Sequence, residues 1–285
     1  MNDLRERFIE TNGITLHVME AGPSDGPMVM FLHGFPEFWY AWEKQIEYFS
    51  KRGYLVVAPD QRGYNLSDKP EGIAPYRIEE PAKDALGIIE HYGRDRIFLV
   101  GHDWGASVSW WFSMNYPERL NRLVIMNVPH PVVFGKHLFG NQKQMERSWY
   151  VFYFQIPGAV ETFAAANEYQ WPLDLLVSTS KPGTFPPEKL EKYREAFKQP
   201  GAFTSMVNWY RAALQAPPDR LTDYKVRVPV LVLWGVRDVA IVPEQADESM
   251  AFCTDGKLVK FEDSSHWIEH EEADRINPMI EDFFK

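Results

Sequence analysis

The chain predicts an α/β architecture, a largely parallel sheet covered on both faces by helices, and three observations carry that expectation. Short apolar runs alternate with helix-like stretches along much of the 285 residues. One such run, Ile97-Phe98-Leu99-Val100, leads into a turn flanked by Gly101 and Gly105 that opens a further helix. Over residues 134–221 the strand pattern stops, and aromatic residues crowd into helix-like stretches punctuated by Pro157, Pro182, Pro186 and Pro187.

Strands are expected at residues 15–20, 28–32, 55–58, 97–100, 123–126, 230–234 and 258–261. The runs are apolar throughout rather than alternating, as befits strands covered on both faces. Helices are expected at 76–91, 106–116, 243–251 and 274–284. This alternation makes the sheet parallel except at its start. The strandless stretch leaves after 123–126 and returns before 230–234, so it should sit over the C-terminal edge of the sheet as a lid. The expected division is a core of residues 1–133 and 222–285 with a lid at 134–221.

Composition narrows the function. With 45% hydrophobic and 25% charged residues the chain can bury one large core and carry an insertion. A net charge of -10 disfavours nucleic acid and anionic membrane surfaces as partners. Residues 1–7 lack the apolar core of a signal peptide and no stretch is long and uncharged enough to span a bilayer, so a cytoplasmic protein is expected. Cys253 is the single cysteine and reads as a buried apolar filler.

Asp103 is the most informative residue. Gly101-His102-Asp103-Trp104-Gly105 has the form of a nucleophile elbow, where a tight strand-to-helix turn exposes one side chain above the sheet and glycines relieve the crowding. Serine in that place attacks acyl carbon. A carboxylate is suited to displacing a leaving group at saturated carbon, because the product is an ester that water can cleave. Asp103 could also serve only as a helix cap.

The partners of such a nucleophile should follow strands, since catalytic groups in open α/β sheets gather beyond the strands' carboxyl ends. Asp238 follows the run at 230–234 and His266 the run at 258–261, giving the chain order nucleophile, acid, histidine. His266 would take a proton from water while Asp238 fixes its tautomer. His17, His91 and His137 lack this setting and read as surface or packing residues. His270 could share a helical face with His266, but a metal site would need further ligands. His33-Gly34-Phe35-Pro36 follows the run at 28–32, so the backbone N–H groups of Phe35 and Trp104 are expected to form an oxyanion hole.

With these residues in place, the chain resembles the soluble epoxide hydrolases of the α/β-hydrolase fold over nearly its whole length. The resemblance rests on His33-Gly34-Phe35-Pro36-Glu37, Asp60-Gln61-Arg62-Gly63-Tyr64 with Ser67-Asp68-Lys69-Pro70, the elbow, Tyr153-Phe154-Gln155-Ile156-Pro157-Gly158, Asn208-Trp209-Tyr210-Arg211 and Ser265-His266-Trp267. It implies a mostly parallel eight-stranded sheet with a helical cap. It also implies that Tyr150 and Tyr210 hold the epoxide oxygen while Asp103 attacks ring carbon, giving a hydroxyalkyl ester that hydrolyses to a 1,2-diol. No cofactor and no metal are implied, only an epoxide and water, in a monomer or homodimer. Two positions depart from the pattern: Asn65 stands where many relatives have glycine, and Ile156 where many have glutamate.

Two other readings compete. Haloalkane dehalogenases use the same ester and share Asp103-Trp104, but usually place asparagine where Phe35 stands. Fluoroacetate dehalogenases use arginines where this chain has Trp104 and Ser107. A non-catalytic receptor on this fold would generally keep serine at the elbow. The aromatic lid, with Trp149, Phe152, Phe154, Trp171 and Phe203, suggests an apolar, aryl-accommodating pocket. Its expected walls are Phe35, Trp104, Trp149, Phe152, Phe154 and Trp267.

Overall fold

The computed structural model describes residues 3–285. Eight strands form one sheet: β1 (Arg5–Thr11), β2 (Ile14–Ala21), β3 (Met28–Leu32), β4 (Leu55–Pro59), β5 (Ile97–His102), β6 (Leu120–Met126), β7 (Val230–Gly235) and β8 (Gly256–Phe261). Their spatial order is β1-β2-β4-β3-β5-β6-β7-β8, antiparallel through the first two pairings and parallel from β4 to β8. This is the expected sheet with one addition. β1 escapes sequence reading because it is a largely exposed edge strand in which only Ile9 is buried. Its charged side chains give no continuous apolar run, whereas β3, β4, β5 and β7 are buried at every position.

Helices pack on both faces. On one, α1 (Glu43–Ser50) supplies Ile46 and Phe49 to a core completed by Trp42, Phe98, Ile276, Ile280 and Phe284. On the other, α2 (Glu79–His91) and α3 (Trp104–Asn115) bury Ala85, Ile88, Val108 and Phe112. α3 has no polar stripe because it runs through the centre of the molecule, covered by sheet beneath and helices above.

From β6 the chain enters a wholly helical insertion: α4 (Pro131–Gly140), α5 (Gln142–Arg147), α6 (Trp149–Tyr153), α7 (Ala159–Ala165), α8 (Gln170–Thr179), α9 (Pro187–Phe197) and α10 (Ala202–Gln215). It then returns to β7. The helices start three residues before the expected boundary, because Pro131 takes the first helical position and the His130 ring accepts from the Val132 N–H at 3.4 Å. After β7 come α11 (Glu244–Met250), α12 (Ile268–Glu271) and α13 (Ala273–Phe284). Among the described residues no helix is long and apolar enough to cross a membrane.

The parallel register determines where chemistry can occur. Leu32 pairs with Gly101, His102 with Met126, Met126 with Leu233, and Gly235 with Phe261. The carboxyl ends of β3, β5, β6, β7 and β8 therefore finish side by side, and the loops that follow them meet at one edge of the sheet.

Candidate active site

The elbow is built by backbone constraint. Asp103 has φ 49° and ψ -123°, a conformation few residues tolerate, and it stands immediately before α3. Such a backbone costs about 1–3 kcal/mol and persists only where the surroundings impose it. The surroundings here are tight: a β-carbon on Gly105 would lie 2.0 Å from the carbonyl oxygen of Leu32. α3 can thus press against β3 and carry Asp103 over the strand ends. Asp103 makes no capping bond to α3, so the cap reading falls away.

The loop after β3 approaches just as closely. A β-carbon on Gly34 would meet Cβ of Asp103 at 2.2 Å, and in that space the Phe35 N–H donates to Asp103 Oδ1 at 2.7 Å. His33 stiffens the loop: its Nδ1 donates to the Gly34 carbonyl at 3.0 Å while Nε2 accepts from the Gln61 N–H at 3.0 Å. Its pKa is lowered by burial, which keeps the ring neutral and able to play both parts. No hydrogen bond runs from the Trp104 N–H to Asp103 among the described residues. That group is one of the free donors at the start of α3.

Asp238 and His266 meet Asp103 across the strand ends. His266 Nδ1 lies 2.7 Å from Asp238 Oδ2, and its Nε2 lies 3.5 Å from Asp103 Oδ2. Asp238 is fully enclosed by donors: Ala240 N–H at 2.7 Å and Ile241 N–H at 3.1 Å reach Oδ1, and Asn127 Nδ2 reaches Oδ2 at 2.8 Å. Burial opposes its ionisation, but the His266 charge and these donors hold its pKa below the usual carboxylate value. Burial likewise opposes ionisation of Asp103, yet His266, His102 and the Phe35 N–H keep that carboxyl below its usual value. For His266 burial disfavours the charged ring, but Asp238 and then Asp103 raise its pKa well above that of free histidine.

Tyr150 from α6 and Tyr210 from α10 border the same cavity as Asp103 and Trp104. Their rings are 5.8 Å apart at 78°, and the Tyr210 ring stands edge-on to Trp104 at 5.1 Å. Burial, then the charge of Asp103, raises both phenols above the ordinary tyrosine value. Each is therefore a proton donor across the neutral range. The arrangement as a whole can deliver a carboxylate to an electrophile, protonate an oxygen leaving group, and activate water against the resulting ester.

The expected pocket walls need correction. Trp104 borders the cavity, but Trp149 and Phe152 are exposed at 59% and 41%. Phe35, Phe154 and Trp267 are buried within aromatic packing and do not border it. Of the aromatic residues on α6 only Tyr150 borders the cavity, while Tyr153 packs against the core beside it. The walls come instead from α3, α4 and the end of α10, including Trp111, Leu138 and Leu214. Cys253 is half-buried rather than enclosed. Asn65 has φ 42°, the left-handed geometry that suits asparagine in a glycine's place.

Several contributors carry no sequence signal. Asn127, just after β6, accepts from the Gly235 N–H at 2.9 Å while donating to Asp238. Arg147 donates to the carbonyls of Asp238 and Ile241, both at 2.8 Å. Behind the elbow, His102 donates from Nε2 to the carbonyl of His266 at 2.9 Å and turns Nδ1 toward Glu37 and Glu269, at 3.3 and 3.5 Å. Glu37, Glu269 and His270 form the group whose atoms lie close enough for a cation. The hydrogen bonds occupy them differently. Lys189, which can only donate, holds His270 Nδ1 at 3.0 Å, so Nε2 bears the proton and donates to Glu37 at 2.7 Å. That ring has no lone pair left for a metal. Burial and the charge of Glu37 raise the Glu269 pKa well above its usual value, and neither of its oxygens has a hydrogen-bond partner.

Comparison with known proteins shows the family of the chain. Residues 27–273 match the alpha/beta hydrolase fold family. The AB hydrolase superfamily protein YfhM of Bacillus subtilis (strain 168) is 42% identical over 286 residues, spanning 100% of this chain and 99% of that protein. Epoxide hydrolase 1 of Caenorhabditis elegans is 35% identical over 97% of this chain and 69% of its own length. Among solved structures, a mutant epoxide hydrolase from Bacillus megaterium complexed with its product, a naphthyloxy-propane-1,2-diol, superposes with a TM-score of 0.89 at 30% identity, covering 97% of this chain and 99% of that one. Fold and site thus define a hydrolase of the α/β-hydrolase fold. Within that class the chain belongs to the epoxide hydrolases.

Proposed function

We propose that the enzyme opens apolar epoxides to 1,2-diols through a covalent ester on Asp103. The observation that carries this reading is that a carboxylate and two phenols border one cavity while a histidine–carboxylate pair stands against that carboxylate. Serine-type acyl transfer has no use for the phenols. Displacement at an epoxide requires them, because the leaving group is a basic alkoxide.

In the first step Oδ2 of Asp103 forms a bond to one ring carbon as the C–O bond on that carbon breaks. The released oxygen takes a proton from Tyr150 or Tyr210. In the second step His266, held by Asp238, takes a proton from water, and the hydroxide attacks the carboxyl carbon of Asp103. The Phe35 N–H, already on Oδ1, stabilises the tetrahedral oxyanion, joined by the free N–H of Trp104. Collapse breaks the ester C–O bond; the departing oxygen takes the proton held by His266, and the second water proton passes from the hydrolysed carboxyl to the tyrosinate, so the diol leaves with carboxylate, imidazole and phenol restored. Alkylation also prepares its own reversal: ester formation removes the Asp103 charge, one of the causes that raise His266, so the imidazole becomes a readier base when it is needed. The helical insertion acts as a lid that brings both phenols over the nucleophile.

Apolar walls favour an apolar substrate, and an aryl group fits them, as in the naphthyloxy diol held by the Bacillus megaterium relative. Single turnover in heavy-oxygen water tests the ester: label should enter the Asp103 side chain before the diol. Label in the diol of the first turnover would mean that water attacks the epoxide directly.

A further inference from the structure

We propose that Gln144 and Arg147, on lid helix α5, are positioning residues for the second chemical step: they clamp the backbone segment that presents Asp238 to His266. The proposal rests on the epoxide reading above and assigns part of the lid to ester hydrolysis.

Residues 238–242 lie between β7 and α11 without regular secondary structure, so their backbone groups need partners from elsewhere. Arg147 Nη1 donates to the carbonyls of Asp238 and Ile241, both at 2.8 Å. Gln144 Nε2 donates to the Ala240 carbonyl at 2.8 Å, and its Oε1 accepts from the Val242 N–H at 2.9 Å. Two side chains of one lid helix thus hold three carbonyls and one N–H of this segment. Gln144 and Arg147 are three residues apart and share one face of α5. Tyr150 follows three residues later, at the start of α6.

These bonds bear on Asp238 through the peptides they hold. The peptide between Ala240 and Ile241 presents its carbonyl to Gln144, and its N–H donates to Asp238 Oδ1 at 3.1 Å. The Ala240 N–H reaches the same oxygen at 2.7 Å. The segment therefore turns N–H groups toward the buried carboxylate and carbonyls toward the lid. Donation to those carbonyls fixes the peptide planes and polarises them in the sense that strengthens the N–H bonds to Asp238. With Oδ1 held in this way, Oδ2 stays aimed at His266 Nδ1, 2.7 Å away.

Arg147 is half-buried, forms no ion pair among the described residues, and donates its hydrogen bonds to those two carbonyls. The first chemical step uses Asp103 and the phenols and makes no demand on Asp238. The second requires Asp238 to fix the tautomer of His266 while that ring takes a proton from water. Loosening residues 238–242 should therefore slow ester hydrolysis and spare alkylation.

Excess enzyme mixed with styrene oxide and quenched in acid separates the two steps, since the ester adds the mass of the epoxide to the protein. Arg147→Met should slow ester decay at least about tenfold and leave ester formation within about threefold. Glu146→Ala, an exposed change on the same helix, should alter neither rate. Arg147→Lys should recover most of the decay rate, because one ammonium can also donate to two carbonyls. A lysine variant as slow as the methionine variant would overturn the proposal. Gln144→Glu keeps the acceptor for Val242 and loses the donor for Ala240, so it should show the same split between steps even if Arg147→Met does not fold. In ligand-free enzyme the downfield proton resonance of His266 Nδ1–H should shift or broaden in Arg147→Met and stay in place in Glu146→Ala. An unchanged resonance, or equal loss of both steps in folded variants, would overturn the positioning role. A parent that forms no ester on Asp103 would remove the ester mechanism itself, an outcome that the ligand-free resonance distinguishes from failure of the clamp.

Discussion

The backbone N–H of Phe35 donates to Oδ1 of Asp103 at 2.7 Å, so the two oxygens of this carboxylate are not equivalent. Oδ1 is anchored at the site where an oxyanion would later form. Oδ2 faces His266 at 3.5 Å and is the oxygen that attacks in the proposed mechanism.

Asp103→Asn should separate anchoring from attack. Asparagine tolerates the left-handed backbone and its carbonyl can still accept from Phe35, but an amide is a poor nucleophile. Turnover should fall at least about 10⁴-fold, with the melting temperature within roughly 3 °C of the parent. Steady-state rates and thermal melts read both quantities, and a variant keeping a few per cent of parent activity would exclude Asp103 as nucleophile.

The phenols should be partly interchangeable. Tyr150→Phe and Tyr210→Phe are each expected to lower the rate of ester formation about 10- to 100-fold, and the double variant by at least about 10³-fold, because either hydroxyl alone can still meet the alkoxide. Stopped-flow tryptophan fluorescence can follow alkylation. An unaffected double variant would mean that the proton comes from elsewhere.

The two chemical steps should differ in pH dependence. Alkylation needs Asp103 ionised, and its pKa is held below the ordinary 3.8, so this step should stay level as pH falls from about 8 to about 5. Ester hydrolysis needs His266 unprotonated, and in the ester Asp238 still raises the His266 pKa although the Asp103 charge is gone, so hydrolysis should fall with decreasing pH while alkylation does not. Both phenols lie above the ordinary 10.0 and contribute no loss below that pH. Single-turnover measurements at each pH separate the steps, and coincident acid limbs would contradict this assignment.

Glu269→Gln should stabilise the protein most at higher pH. The folded pKa of Glu269 is raised above 4.5, so between that value and the folded pKa the native state holds a proton that the unfolded state has released. Stability therefore falls as pH rises through this interval, and glutamine removes the loss. The expected melting-temperature gain is roughly 2–4 °C at pH 8 and smaller near pH 5. A decrease at pH 8 would show that the carboxylate has a partner worth keeping.

Much of this was legible in the sequence because it follows from local rules. β3, β4, β5 and β7 are continuous apolar runs, and Asp103, Asp238 and His266 each directly follow a strand. β1 was hidden because an exposed edge strand need not be apolar. The cavity walls were hidden for a different reason: composition marks the insertion as aromatic but not the direction in which each ring points. Trp149 and Tyr150 are neighbours in the chain, yet one faces solvent and the other the nucleophile. Glu269 and Lys189 depend on contacts between distant elements that spacing alone does not encode.

The aligned strand ends have a consequence for how the enzyme comes into being. In the proposed mechanism the nucleophile leaves β5, the orienting acid leaves β7, the base follows β8, and the phenols arrive on helices inserted between β6 and β7. No stretch shorter than residues 103–266 holds all of these groups, and the proposed base follows β8, the last strand to join the sheet in chain order. On that mechanism a nascent polypeptide is catalytically silent until β8 docks, and recovery of turnover during refolding should report completion of the sheet rather than of any one part.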